Sequence, residues 1–336
     1  MNVLYATLLI VATFLWGYMF YKKEYHPQPL KIIMQVFGIG LFTMIPVFAY
    51  KYIYQNYLPI IADNTIVSPL LESSFLSGLF FFTINLVLLS TVLFSLSAIV
   101  TALLTRFNHE TLVNIKRGLD ENELGFVTVS MMIGLLVYFE TFFQNILNIP
   151  IVTTALGSLL FLTIIEEFVK HLIVQFVDDK KLRDVDDAIT LSIMVGLAFA
   201  LVETIIYAIL SGDMSLLMYR ALLTMPVHVI ASGLFGYYYG LSHFAKPITE
   251  NDGGKKTYRF KIKWLHKILT LKRSTVYEEE KIVEGMGLAV LFHGTCNILF
   301  ELNLAYVAVP VIVLGLVLVS KLYKESRIFY RMIHAH

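Results

Sequence analysis

Nine stretches of this chain are apolar over the length that a bilayer demands. A spanning helix takes about 20 residues, and runs of that kind cover residues 2–21, 31–54, 76–104, 125–147, 151–177, 187–211, 219–243, 282–300 and 304–321. The expected fold is therefore all-α, a polytopic transmembrane helical bundle of about nine spans. Composition agrees: 57% of residues are hydrophobic and 15% charged, against roughly 45–50% and 25% in soluble domains.

Charge orients the bundle. With the N-terminus outside, the inside segments are 22–31, 105–124, 178–186, 244–281 and the C-terminal tail, and they hold 23 of the 26 Lys and Arg. Cytoplasmic loops are enriched in these residues, so the N-terminus is expected outside and the C-terminus inside. The exceptions are Lys51 and Arg220 at outer helix ends and Lys170 within a helix. Lys22 and Lys23 follow the first apolar run instead of preceding it, and no small-x-small site ends it, so it reads as a retained helix. The expected organisation is four N-terminal spans over 1–150, a four-helix core over 151–300, and a last span with its tail over 301–336.

Formal net charge is +1, which gives no bias toward nucleic acid, and none is expected as a partner. Cys296 is the one cysteine, so no intrachain disulfide or CxxC metal knuckle exists. The loop 244–281 opens on turn formers (Pro247, Asn251, Asp252, Gly253, Gly254). It then alternates Tyr258, Phe260, Ile262 and Trp264 with Arg259, Lys261 and Lys263. Such a stretch fits either anionic headgroups or a solvated basic linker. Gly233, Gly236 and Gly240 form a small-residue face for close helix packing.

Polar residues inside the spans carry the functional information, because an ionisable group at mid-bilayer costs about 2.5–3.5 kcal/mol. The fifth span holds Glu166, Glu167, Lys170 and His171; Lys170 lies four and three residues from the two carboxylates and shares their face. The pair suits a general base. The sixth span holds Glu203, with Tyr207 a turn later. The seventh holds His228, and the eighth holds His293 and Asn297, four apart on one face. Three Glu and one Lys scattered into lipid would cost on the order of 10 kcal/mol; gathered around one wet cavity they cost far less. Glu140 and Asn145 in the fourth span and Asn85 in the third read as interhelical hydrogen-bond formers.

These motifs have a known counterpart. Glu-Glu-x-x-Lys at 166–170, Phe-x-x-x-Glu at 199–203, His228, and His-x-x-x-Asn at 293–297 come in the order found in PrsW-type intramembrane proteases. The chain resembles that family, within the superfamily of CAAX prenyl endopeptidases and bacteriocin-processing or immunity proteins. Asp187-Ala188, Gly196-Leu197-Ala198, Tyr207 and Arg220 fit as neighbours. The resemblance covers about residues 160–300, and Glu203 separates the chain from the CAAX branch, which has His there.

The resemblance implies cleavage of a membrane-anchored protein in a bacterial plasma membrane, and the first cut of an anti-sigma factor as the family's activity. Glu166, Glu167, Lys170, Glu203, His228, His293 and Asn297 would form the site. Glu166, with Glu167 second, would take the proton from water, and His228, His293 and Asn297 would hold the water or the oxyanion. A metal-free version and one with a divalent ion such as zinc, on Glu203, His228 and His293, both remain open, since two His and a Glu can bind zinc. With the N-terminus outside, Glu203, His228 and Asn297 fall in the outer half, which points to a cut near the extracytoplasmic side. Two other classes compete: a non-catalytic interaction or immunity protein, and a proton-coupled transporter using the acidic cluster as a relay.

Overall fold

The computed structural model describes residues 2–49, 152–178, 182–244, 248–249, 256–257 and 273–334, with isolated helical positions between 52 and 87. The chain divides into two compact units, residues 1–41 with 180–336, and residues 42–179. Six helices among the described residues are long and apolar enough to cross a membrane: Leu4–Tyr21, Leu30–Ala49, Val185–Ser211, Ser215–Phe244, Val276–Glu301 and Ala305–Arg327. They coincide with six of the nine expected spans. The expected fifth span is also helical; the expected third and fourth, with Asn85, Glu140 and Asn145, lie outside the described residues.

In the first unit, α1 (Asn2–Tyr21) is apolar on every face. Leu4, Phe14 and Leu15 point outward, while Leu9, Thr13 and Phe20 are buried. Pro27 and Pro29 stop the helix from running on, because proline has no N–H to donate and disfavours helical φ/ψ in the residue before it. Helix α2 (Leu30–Gly40) starts directly after Pro29.

Helix α4 (Val185–Ser211) is the hub. Asp184 caps its start by accepting from the Asp187 N–H at 3.0 Å, which satisfies one of the first-turn donors. Gly212, at φ +69°, ends it in the left-handed cap that glycine adopts without strain. The next span is built in three pieces: α5 (Ser215–Tyr219), a π turn over Arg220–Thr224, and α6 (Met225–Phe244). The wide turn has a local cause. Pro226 cannot donate, and its ring crowds the carbonyl four residues back; the Met225 N–H reaches the Arg220 carbonyl instead, the i to i−5 bond of a π turn. Trp16 of α1 donates to the Ala221 carbonyl at 3.3 Å and so satisfies an acceptor inside that turn.

The small-residue face packs as its sequence indicates. A Cβ on Gly236 would meet the Ala188 carbonyl oxygen at 2.6 Å, and one on Gly240 would meet the Val185 Cα at 2.9 Å, so α6 and α4 approach backbone to backbone. Gly233 faces Val319 and Ile193 instead.

A two-residue antiparallel ladder, β1 (Ile248–Thr249) and β2 (Lys256–Thr257), lies on either side of Asn251, Asp252, Gly253 and Gly254 in the sequence; the basic stretch 258–271 lies outside the described residues. Helix α7 (Arg273–Glu301) begins nine residues before the apolar run. Its polar start is held partly by Lys281, paired with Glu284 at 2.7 Å, an i,i+3 contact that supports a helix where burial does not. The boundary between the last two spans is also explicit. The Asn303 N–H bonds the Phe300 carbonyl and the Leu304 N–H bonds the Leu299 carbonyl, with Asn303 at φ +56°. That is a Schellman stop with asparagine in the left-handed position. Helix α8 (Ala305–His334) follows, and Arg327 near its end donates to the Lys23 carbonyl at 2.9 Å.

In the second unit, α3 (Val152–Asp178) is the long described helix. Ile164, Ile165, Phe168, Val169 and Leu172 are buried on it.

Candidate active site

Helix α4 presents Phe199, Glu203 and Tyr207 at four-residue intervals, which stacks them along one face. Each meets a residue of the neighbouring span. The Phe199 ring lies 5.4 Å from the His228 ring. Glu203 Oε2 lies 3.0 Å from His228 Nε2 and 2.5 Å from an Arg220 terminal nitrogen. The Tyr207 ring carries the Arg220 guanidinium 4.6 Å above it, and Arg220 Nε donates to Thr204 Oγ1 at 3.3 Å. Arg220 therefore spends its charge on Glu203, its edge on Thr204 and its face on Tyr207, a use of the planar guanidinium that lysine cannot copy.

His228 and His293 are both buried, and their rings meet edge-on with centroids 4.5 Å apart. They come from the first turn of α6 and the later half of α7. Asn297 follows His293 by one turn on the same helix and is half-buried. The structure thus brings Glu203, His228 and His293 together from three helices. On α3, Lys170 forms a buried ion pair with Glu167, as the i,i+3 spacing requires; Glu166 beside it is half-buried. His171 continues the helix with Gln175 Nε2 at 2.9 Å from its Nε2.

Sequence reading places Arg220 at an outer helix end and gives it no role. Its ion pair with Glu203 is buried, with side-chain exposures of 14% and 9%, and removing one partner of such a pair costs about 3–5 kcal/mol. The missed signal is Pro226: a proline six residues on marks a helix that is locally irregular, so the angular position of Arg220 cannot be taken from regular periodicity.

A second polar cluster lies at the opposite end of α4, roughly 30 Å from Glu203 at 1.5 Å per residue. Glu24, Asp184, Asp186 and Asp187 are all buried there. The Arg183 guanidinium clasps Asp187, donating from Nε to Oδ2 at 2.9 Å and from a terminal nitrogen to Oδ1 at 2.8 Å, and that terminal nitrogen also donates to the His26 carbonyl at 2.5 Å. The Tyr25 N–H donates to Asp186 at 2.7 Å and the Gln28 N–H to Glu24 at 2.8 Å. Burial pushes the Glu24 and Asp184 carboxyls up to about 8 each, with neighbouring carboxylates adding to the rise. This cluster ties the 22–29 loop to the start of α4.

The protease PrsW of Geobacillus kaustophilus (strain HTA426) is 31% identical over 136 residues, which is 39% of this chain and 60% of that protein. The match thus spans less than two thirds of the relative's length. No solved structure matches the chain. Its spans make it a multi-pass protein of the plasma membrane. Residues 123–321, which include every residue of the site above, match the family described as PrsW family intramembrane metalloprotease, and the chain belongs to that family.

Proposed function

We propose that this chain is an intramembrane endopeptidase that hydrolyses a peptide bond in a membrane-anchored protein near the extracytoplasmic side. The substrate class we favour is an anti-sigma factor, cut first at this site. The observation that carries the reading is the buried Glu203–His228–His293 set inside the family-matched region. Packing alone gives no reason to bring a carboxylate and two imidazoles together inside a membrane.

Peptide hydrolysis needs an activated water and a stabilised oxyanion. In this proposal Glu166 takes the proton from water. Lys170 is engaged by Glu167, which supports Glu166 over Glu167 as the base. His293 and Asn297, one turn apart, orient the water and donate to the oxyanion. Glu203 holds His228 in place.

The family description names a metal, and the histidines fit one. His228 and His293 are buried with ring centroids 4.5 Å apart, and the carboxylate behind His228 is the partner that metal-ligating histidines usually have. His228 and His293 would hold the ion, with Glu203 behind His228 engaged by Arg220. A divalent ion such as zinc would supply Lewis acidity to the water and the scissile carbonyl.

Cleavage of co-expressed single-span membrane proteins, anti-sigma factors included, tests the proposal. Wild type should cut a substrate that Glu166→Gln, Glu167→Gln and His293→Ala variants of equal membrane abundance leave intact. Undiminished cleavage in all three variants would overturn the site assignment.

A further inference from the structure

We propose that Arg220 is a positioning residue that sets the tautomer of His228, acting through Glu203. The inference rests on the reading of His228 as a working residue of the protease site. An ionised carboxylate accepts hydrogen bonds and donates none. Arg220 is permanently charged, and its terminal nitrogen lies 2.5 Å from the same Glu203 oxygen that lies 3.0 Å from His228 Nε2. With that oxygen held as an anion, Nε2 must carry the ring proton. Nδ1 is then the lone-pair nitrogen of neutral His228, the atom left for a water, a substrate or a metal.

The backbone is built for this contact. In a regular α-helix, residues eight apart lie about 80° apart around the axis. The π turn over 220–224 takes up one extra residue, so Arg220 and His228 behave as though seven apart, about 20° apart. Both then face Glu203. Trp16 holds the turn open at the Ala221 carbonyl, and Tyr207 and Thr204 fix the plane and edge of the guanidinium. A residue needed only to neutralise Glu203 would require none of these supports, since charge neutralisation does not depend on the plane of the guanidinium.

The test uses full-length protein in detergent, treated with chelator, with ¹⁵N-labelled histidine at pH 8. The His228 resonances are assigned by their loss in His228→Gln. Wild type should show the Nε2–H tautomer. In Arg220→Met nothing holds the Glu203 oxygen on Nε2, and the ring should become a mixture with a substantial Nδ1–H share. Arg220→Gln keeps a polar, hydrogen-bonding side chain in the site and serves if the methionine variant does not fold; it should show the same mixture. Arg220→Lys should restore the wild-type pattern in part. Where cleavage is measurable, Arg220→Met should lower kcat at least tenfold with KM changed less than twofold. A tautomer shift supports the assignment whether or not any substrate is cut, so failure of the protease reading would be seen separately. An unchanged Nε2–H signature in both Arg220→Met and Arg220→Gln overturns it.

Discussion

Raising the pH should loosen this protein from the end of α4 that carries Asp184. Glu24 and Asp184 are carboxyls raised to about 8 by burial among Asp186 and Asp187. Arg183, the cation paired within the cluster, is engaged by Asp187. Tyr323 of α8 closes the cluster from the other side and bonds Thr190 at 2.8 Å. The folded state therefore holds protons that the unfolded chain releases, and stability falls as pH rises from the ordinary carboxyl range through about 8. One pKa unit corresponds to about 1.4 kcal/mol. The rise of Glu24 from 4.5 to about 8 sets a ceiling of about 5 kcal/mol for that group. The two protons share one cluster at the membrane surface, where water and salt screen it. We therefore take about 2–3 kcal/mol for the pair.

Glu24→Gln removes one of these titrations and keeps an acceptor oxygen for the Gln28 N–H. Half of that figure for the one group removed means that the variant should melt higher than wild type at pH 8.5 by on the order of 2–6 °C, at about 2–4 °C per kcal/mol, and equal to it near pH 5. Cys296 supplies the assay: it is the one cysteine and is buried, so a thiol-reactive fluorophore lights up as the bundle opens. A wild-type melting temperature that does not change between pH 5.5 and 8.5 would refute the reasoning. So would a Glu24→Gln slope equal to that of wild type.

Three further outcomes are expected. Glu203→Gln should lower cleavage about 100-fold, since an uncharged amide can turn either atom toward His228, with folding followed by the same thiol assay. Gly236→Leu should abolish accumulation of folded protein, because its Cβ alone would sit 2.6 Å from the Ala188 carbonyl oxygen; Gly287→Ala, where nothing lies within 4 Å, should be neutral. Trp16→Phe removes the donor to Ala221 and should cost about 1 kcal/mol of stability. It should also reduce cleavage by more than that loss explains, measured as initial rate against melting temperature.

The spans themselves were legible because hydrophobic length is a property of composition, and six of them are described where the apolar runs lie. The glycine face at 236 and 240 was legible for a similar reason: small residues at four-residue spacing have one geometric use on a buried helix. Helix ends were less so. Apolar runs end where lipid ends, but backbone hydrogen bonding does not, so α7 starts at Arg273 and α8 runs on to His334 in polar sequence. Glu203, His228 and His293 stood out as costly groups in apolar helices. Glu24, Asp184 and Asp186 did not, because carboxylates beside a loop read as solvated until the fold buries them.

Arg220 shows why periodicity alone loses part of a site. Counting positive charge by topology treats it as an exception at an outer helix end, and regular helical spacing turns it about 80° away from His228. Both rest on an unbroken i to i−4 ladder. Pro226 breaks that ladder, and the resulting turn brings the guanidinium onto Glu203 at 2.5 Å. A proline early in a span thus changes which side chains share a face for more than a turn before it. An arginine and a histidine eight apart with a proline between them deserve the same test in any membrane helix: whether one inserted residue brings both onto a buried acid. Here it does. The family motifs mark Glu203 and His228 as a pair, and the irregular turn adds the third member, the charge that keeps Glu203 an acceptor.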